Sequence, residues 1–316
     1  MESWLDQLWD AMTAVSLPLL ILGLAFQTAQ TLLVALAWRN ILRAAYPAER
    51  IPYPKIWGAY MAGYGFNSVI PARGGDLVRL FLTKNSVPNS SYPAVASSVF
   101  VESIYDVTIG IPVLIFAFSQ GVFPKPPDFS KLNAFDLSYL AANPQFTLFL
   151  LTFLGVLVLI AFALLSARVK AFWARVRQGL TILRDRRRYL REVWLVQFGG
   201  WLLRFTSFWF MLEAFNVGGS VENVLLVLGV NAVAAAVPFT PGGAGVAQAL
   251  LVTVFAGTAS EATVAVFSVG QQVAIAAFTF ALGFCSLVFI FRLRSFKEII
   301  RRGKEERAAE AALRKA

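Results

Sequence analysis

Two acids, Glu102 and Asp106, stand four residues apart in the stretch VESIYDVTIG, inside a long apolar run. At that spacing they share one face of a helix. Two neighbouring carboxylates in a low-dielectric medium compete for ionisation, so the pair is expected to share a proton or to hold a cationic group. The structural alternative is a salt bridge or an interhelical hydrogen bond. A second group lies in NSVIPARGGDLVRL, which holds Arg73, Gly74, Gly75, Asp76 and Arg79. The glycine pair lets backbone amides approach a ligand and leaves open the N-terminus of a helix starting near Asp76. Such an end attracts anions through free N–H groups and the helix dipole. The two arginines add positive charge, so phosphate binding is the expected chemistry. The alternative is a turn capped by Asp76 and tied to neighbouring acids. A third stretch, PFTPGGAGVAQ, repeats the open helix start without fixed charge and contributes Thr240, Gly242, Gly243 and Gln248. Arg204 lies about ten residues into another apolar run, roughly 15 Å along a helix and at the expected depth of Glu102 and Asp106. Two readings stay open for it: a carboxylate partner across the bundle, or a direct contact to phosphate.

The elements that must position these residues follow from composition. Hydrophobic residues make up 58% of the 316 and charged residues 15%, well below the roughly 25% charged residues of a soluble domain. Apolar runs of membrane-spanning length recur, and the chain reads as an all-α polytopic membrane protein. The first run is too long for a signal peptide and is preceded by acids rather than bases. With no histidine and one cysteine, a zinc, haem or iron–sulfur site is not expected, and no cofactor is implied. No nucleotide-binding loop appears. The net charge of +10 comes from bases clustered beside apolar runs. This points to anionic lipid at the cytoplasmic face rather than to nucleic acid.

The spans are expected at about residues 15–38, 93–119, 144–166, 194–217 and 262–291. Between them lie two pairs of short apolar pieces, about 56–84 and 224–257, each with a Pro/Gly motif at its centre. Pieces of about 13–15 residues reach only about 20 Å, short of a hydrocarbon core of about 30 Å. Each pair is therefore read as a re-entrant helical hairpin with its motif at the tip. Bases concentrate after the first span, between the third and fourth, and in a basic tail, 292–316. The positive-inside rule then puts the N-terminus outside and the C-terminus in the cytoplasm. In that topology the halves are the same arrangement turned over. The expected fold is a single membrane domain, 1–316, an inverted-repeat helix bundle with two opposed re-entrant hairpins. Such repeats put a ligand site near the midplane. Trp38, Trp57, Trp194 and Trp201 read as interface anchors, and Gln27, Gln30, Asn231, Gln271 and Gln272 as interhelical packing groups.

The motifs NSVIPARGGDLVRLFL, VFVESIYD and VPFTPGGAGVAQALLV together resemble the membrane region of lysylphosphatidylglycerol synthases. That region also occurs alone in a large flippase-like family. The resemblance spans about residues 15–295. In this family the residue matching Ser103 is commonly arginine, a departure within the acid-bearing motif. In bifunctional relatives the membrane part is associated with moving aminoacylated lipid between leaflets, while a soluble domain performs the transfer. The resemblance therefore implies lipid translocation and not lysyl transfer.

The expected function is movement of a phosphate-bearing lipid (phospholipid, polyprenyl-phosphate or glycolipid) between leaflets of a prokaryotic cytoplasmic membrane. An envelope-lipid biosynthetic enzyme is the expected partner class. Two other classes stay open. In a membrane-embedded lipid or glycosyl transferase, Glu102 or Asp106 acts as general base. A lipid-presenting protein binds a partner enzyme and transports nothing itself.

Overall fold

The computed structural model describes residues 4–70, 74–120, 170–235 and 245–292. Every regular element among them is helical. Residues up to Val122 and from Val176 onward form one compact unit; of the second, Phe123–Arg175, only residues 170–175 are described. The helices are α1 (Trp4–Thr13), α2 (Leu17–Ala45), α3 (Tyr53–Asn67), α4 (Gly74–Ser86), α5 (Tyr92–Ser119), α6 (Lys170–Gly179), α7 (Arg186–Tyr189), α8 (Leu195–Ala214), α9 (Val221–Ala235), α10 (Val246–Val254) and α11 (Glu261–Phe289). A 3₁₀ turn, Thr181–Arg184, precedes α7, and a π turn, Leu190–Trp194, joins α7 to α8.

Local chemistry starts and stops these elements. Proline occupies the first turn of both α2 and α3, where its missing N–H costs no helical hydrogen bond. The Ser260 hydroxyl accepts the Thr263 N–H at 3.1 Å and caps α11. Asn216, at φ +58°, ends α8 in the left-handed region, and its amide donates to the Ala14 carbonyl at 3.0 Å. The end of α8 is thereby pinned beside the start of α2.

Among the described residues, α2, α5 (over Tyr92–Ala117) and α11 are long and apolar enough to cross a membrane. Their outward sides carry exposed Leu17, Ile21, Phe100, Val107, Ile111, Ile115, Val269, Val273 and Phe289. A surface so apolar is suited to lipid. The helix expected over 194–217 is α8, whose length suffices; Gln197, Arg204 and Glu213 lower its hydropathy. The expected span 144–166 and the tail from 293 onward lie outside the described residues.

One boundary departs from expectation. α2 continues to Ala45, seven residues past Trp38. The arginines there suggested an end. Instead Arg39 donates through Nε to the Ile51 carbonyl at 2.8 Å. Ile41, Leu42, Ala44 and Ala45 are buried in a cluster with Ile51, Ile56, Val87, Val95, Ile182 and Val193. Burial of that apolar face outweighs the local charge.

α3 and α4 form a helical hairpin of 15 and 13 residues. Small residues let it pack tightly. A Cβ on Gly63 would lie 2.7 Å from Arg79 Cβ, and one on Gly75 would strike the Gly63 carbonyl. α3 runs antiparallel to α11, with Gly58 against Ile290, Met61 against Gly283 and Gly65 against Thr279. The tip residue Ser68 donates to the Ala276 carbonyl at 3.4 Å. Ala276 is at the middle of α11. A second hairpin, α9–α10, enters from the other end of α11. Phe255 at its base packs edge-on to Phe267, and Gln248 near its tip reaches the Ser268 carbonyl at 3.4 Å and the Gln272 side chain.

Gly65→Ala tests the close packing of hairpin and helix, because the added methyl would sit 2.5 Å from the Thr279 carbonyl oxygen. Overpacking of this kind costs about 1–3 kcal/mol. The expected result is a lower melting midpoint for the purified protein in detergent, while Gly110→Ala, which meets nothing within 4 Å, leaves it unchanged.

Candidate functional site

The most elaborate polar group on the described residues joins the first hairpin to α5. The Arg79 guanidinium of α4 forms an ion pair with Glu102 of α5, and both side chains are about nine-tenths buried. Its carbon lies over the Trp38 ring of α2, 3.7 Å from the centroid, and 4.7 Å from that of Tyr60 in α3. Trp38 is itself fully buried and donates to the Ser98 hydroxyl at 2.9 Å. It is a core residue and not the interface anchor its place near the span end suggested. Four helices thus meet on one cation. Its charge is neutralised by the carboxylate and its face is covered by indole, an arrangement suited to the planar guanidinium.

This position corrects an expectation about depth. Trp38 lies beyond the middle of α2, toward its C-terminal end, and the Arg79–Glu102 pair lies with it. Glu102 and Asp106 also diverge despite their shared spacing. Glu102 is buried, whereas Asp106 is exposed. Burial, and behind it the Asp106 carboxylate, push the Tyr189 phenol of α7 up from its usual range. The two acids thus differ in burial although they share a helix face.

The glycines of the first motif have a packing explanation. Gly75 allows the backbone of α4 to approach Gly63 and Asn67, and Gly74 packs on Ile70. α4 starts at Gly74, so Asp76 is inside the first turn rather than ahead of it. Asp76 accepts a hydrogen bond from Asn67 Nδ2 at 2.8 Å, across the hairpin tip. Arg73 lies outside the described residues, as do Thr240, Gly242 and Gly243 of the second motif. Gln248 is described. Its Oε1 accepts the Gly245 N–H at 2.5 Å at the open end of α10, and its Nε2 donates to Gln272 and Ser268. It closes one free N–H of that helix and ties the helix to α11.

Arg204 is placed elsewhere. α8 packs antiparallel on α2. The Ser207 hydroxyl donates to the Gly23 carbonyl at 2.7 Å, and a Cβ on Gly200 would lie 3.5 Å from the Gln30 carbonyl. Between those two contacts, Gln27 of α2 and Arg204 of α8 come level. Gln27 is eleven residues from Trp38, about 16 Å at a helical rise of about 1.5 Å. Arg204 is therefore well removed from the Arg79–Glu102 pair. It forms no ion pair among the described residues. Its Nε is buried without a hydrogen-bond partner, and its guanidinium carbon is 5.8 Å from the Phe208 ring centroid.

Sequence reasoning read Gln27 as an interhelical packing group and missed Tyr60, Tyr64 and Gln197. Gln27 is buried and donates to the Tyr64 hydroxyl at 2.9 Å, and Tyr64 stacks with Tyr60 at 6.2 Å. Gln197, buried at 3% exposure, has an unpartnered Oε1. Tyr60 and Tyr64 had no distinguishing spacing in an aromatic-rich chain. Gln27 and Gln197 were signalled only as polar residues in apolar runs. Along a neighbouring face of α8, Trp194, Phe198, Trp201, Phe205 and Trp209 form a continuous series of ring contacts with centroids 5.4–6.4 Å apart. Trp194 and Trp201, read as interface anchors, are part of this ladder.

The ion pair carries a stability prediction. Glu102→Leu strands a buried guanidinium, and loss of one partner of a buried pair costs about 3–5 kcal/mol. The double variant Arg79→Met/Glu102→Leu removes both charges and is expected to lose less than Glu102→Leu alone. Thermal melting of wild type, Arg79→Met, Glu102→Leu and the double variant in one detergent provides the double-mutant cycle.

The sequence model of a family described as "Lysylphosphatidylglycerol synthase TM region" matches residues 3–283, and the chain belongs to that family. Comparison with curated proteins and with solved structures returns no match.

Proposed function

We propose, from that family membership, that this integral membrane protein moves a phosphate-bearing lipid between leaflets. One observation carries the reading: the two hairpins approach α11 from its opposite ends and touch it one turn apart, at Ala276 and Gln272. On this reading both hairpins are re-entrant, the halves of the chain are inverted repeats, and the tips converge near the midplane. Neither α3, α4, α9 nor α10 exceeds 15 residues, about 22 Å of helix, which supports entry and return rather than crossing.

On this reading the headgroup is bound by Arg73, Thr240, Gly242 and Gly243 of the two motifs, while acyl or isoprenoid chains stay in the bilayer against the exposed apolar sides of the long helices. Asp76, through Asn67, and Gln248, through Gln272, hold the tips in shape. Exposed Arg184, Arg186, Arg187 and Arg191 support a cytoplasmic position for the α7 region, on anionic lipid. The N-terminus is then outside and the C-terminus inside a prokaryotic cytoplasmic membrane. The chain carries transport rather than aminoacyl transfer, and an envelope-lipid enzyme supplies or consumes its cargo.

The test is reconstitution. Liposomes containing the purified chain are expected to move a fluorescent phospholipid between leaflets faster than empty liposomes, as read by dithionite quenching. Arg73→Ala is expected to slow that movement severalfold. Equal rates with and without protein overturn the proposal.

A further inference from the structure

We infer that one exposed face, running from α7 into α8, holds an anionic lipid of the cytoplasmic leaflet, with its phosphate on Arg187 and Arg191 and its chains along Leu190, Leu195 and Leu202. The face shares no residue with the tip motifs to which the headgroup of the cargo is assigned. Its cytoplasmic placement rests on the translocation reading above; the residues and their register do not.

A change of helix type assembles this face. In a straight α-helix of 3.6 residues per turn, Leu190 and Leu195 would stand about 140° apart. The π turn Leu190–Trp194 instead closes with the Leu195 N–H on the Leu190 carbonyl. That five-residue bond brings the two leucines to neighbouring positions on one side, and π turns are frequent at functional sites. Arg187 precedes Leu190 by three residues and Arg191 by four, so it shares their side. Leu202 follows Leu195 by seven residues, two turns further on the same side. All five are exposed, the leucines by 50%, 51% and 48%. The opposite side of the stretch is buried at Val193, Gln197 and Gly200. There the Asn40 amide of α2 donates to the Glu192 carbonyl at 2.9 Å and holds the π turn against the bundle.

Charge and length both fit one lipid. The acids of the stretch serve Arg188: Asp185 accepts its backbone N–H at 2.9 Å, and Glu192 pairs with its guanidinium at 3.0 Å. Arg187 and Arg191 form no ion pair among the described residues. Along the face the exposed surface then changes from basic to apolar, with Arg187 and Arg191 before the change and Leu195 and Leu202 beyond it. Such a change marks the headgroup level of a bilayer. A guanidinium takes phosphate oxygens in two parallel hydrogen bonds, and each base near an anionic surface adds attraction. Arg187 to Leu202 is about 22 Å of helix, and one leaflet with its headgroup region is about 20–22 Å thick. An acidic protein on the cytoplasmic side matches the arginines only, because the leucines lie beyond them in the hydrocarbon. An anionic lipid matches both halves of the face.

The experiment uses the full chain in detergent, with bound lipid read by native mass spectrometry. The probes are dioleoyl phosphatidic acid, dioleoyl phosphatidylcholine and inorganic phosphate. Wild type is expected to hold phosphatidic acid about tenfold or more tightly than the zwitterionic lipid. Arg187→Gln/Arg191→Gln is expected to remove most of that preference. Arg187→Lys/Arg191→Lys, which keeps the charge without the fork, is expected to retain part of it. Arg177→Gln/Arg186→Gln removes the same charge from exposed positions off the face and is expected to leave the preference near that of wild type. Equal losses in the two glutamine variants reduce the face to diffuse attraction and overturn the site, as does an unchanged preference in Arg187→Gln/Arg191→Gln. Competition by inorganic phosphate at equal concentration, lost with Arg187 and Arg191, assigns the face to free phosphate and overturns the lipid. A dimer that the same two substitutions dissolve assigns it to a second copy of the chain, with the same consequence. The readout needs no lipid movement. Absence of translocation by wild type with this preference intact sinks the translocator and spares the site. Translocation without a preference dependent on Arg187 and Arg191 does the reverse.

Discussion

A guanidinium withdrawn from water needs a counter-charge, and in this chain Glu102 supplies it for Arg79. The other features of the first hairpin follow from that pairing. α4 must lie against α5 for the ion pair to close, α2 must present Trp38 beneath it, and α3 must bring Tyr60 to its edge. The small residues Gly63 and Gly75 let α3 and α4 approach closely enough for this to happen. Buried ion pairs add little net stability over an apolar substitute, but they tolerate few alternative arrangements. Here the pair selects the placement of a short hairpin whose own apolar surface would permit several.

That placement has consequences at the other end of the hairpin. With its middle fixed near Trp38 through Tyr60, about 12 Å of α3 carries the tip to the middle of α11, where Ser68 meets Ala276. The second hairpin reaches the same region through Gln248 and Gln272. The two contacts fall one helical turn apart on α11, and the translocation proposed above starts from that proximity.

The distribution of positive charge acquires meaning from the same constraint. Two arginines with similar sequence surroundings, each inside an apolar run, have different settings. Arg79 is internally neutralised and mechanical. Arg204, on α8, has no ion pair among the described residues.

The sequence by itself determined the membrane character, the approximate limits of α5, α8 and α11, and the hairpin over residues 56–84, because apolar run length and Pro/Gly interruption are local properties. It determined the family through three motifs distributed along the chain. It did not reveal that α2 extends to Ala45, since the arginines after Trp38 mask an apolar face that only its packing partners identify. The division of labour among the charges was equally hidden. Spacing placed Glu102 and Asp106 on one helix face, and only the packed α4 and α7 regions drew one inward and left the other exposed. Gly75 read as a ligand-binding glycine until Gly63 was found against it. Which arginine is paired depends on contacts between helices remote in sequence. Tertiary structure alone decides that, because the desolvation of a charge is set by everything that surrounds it.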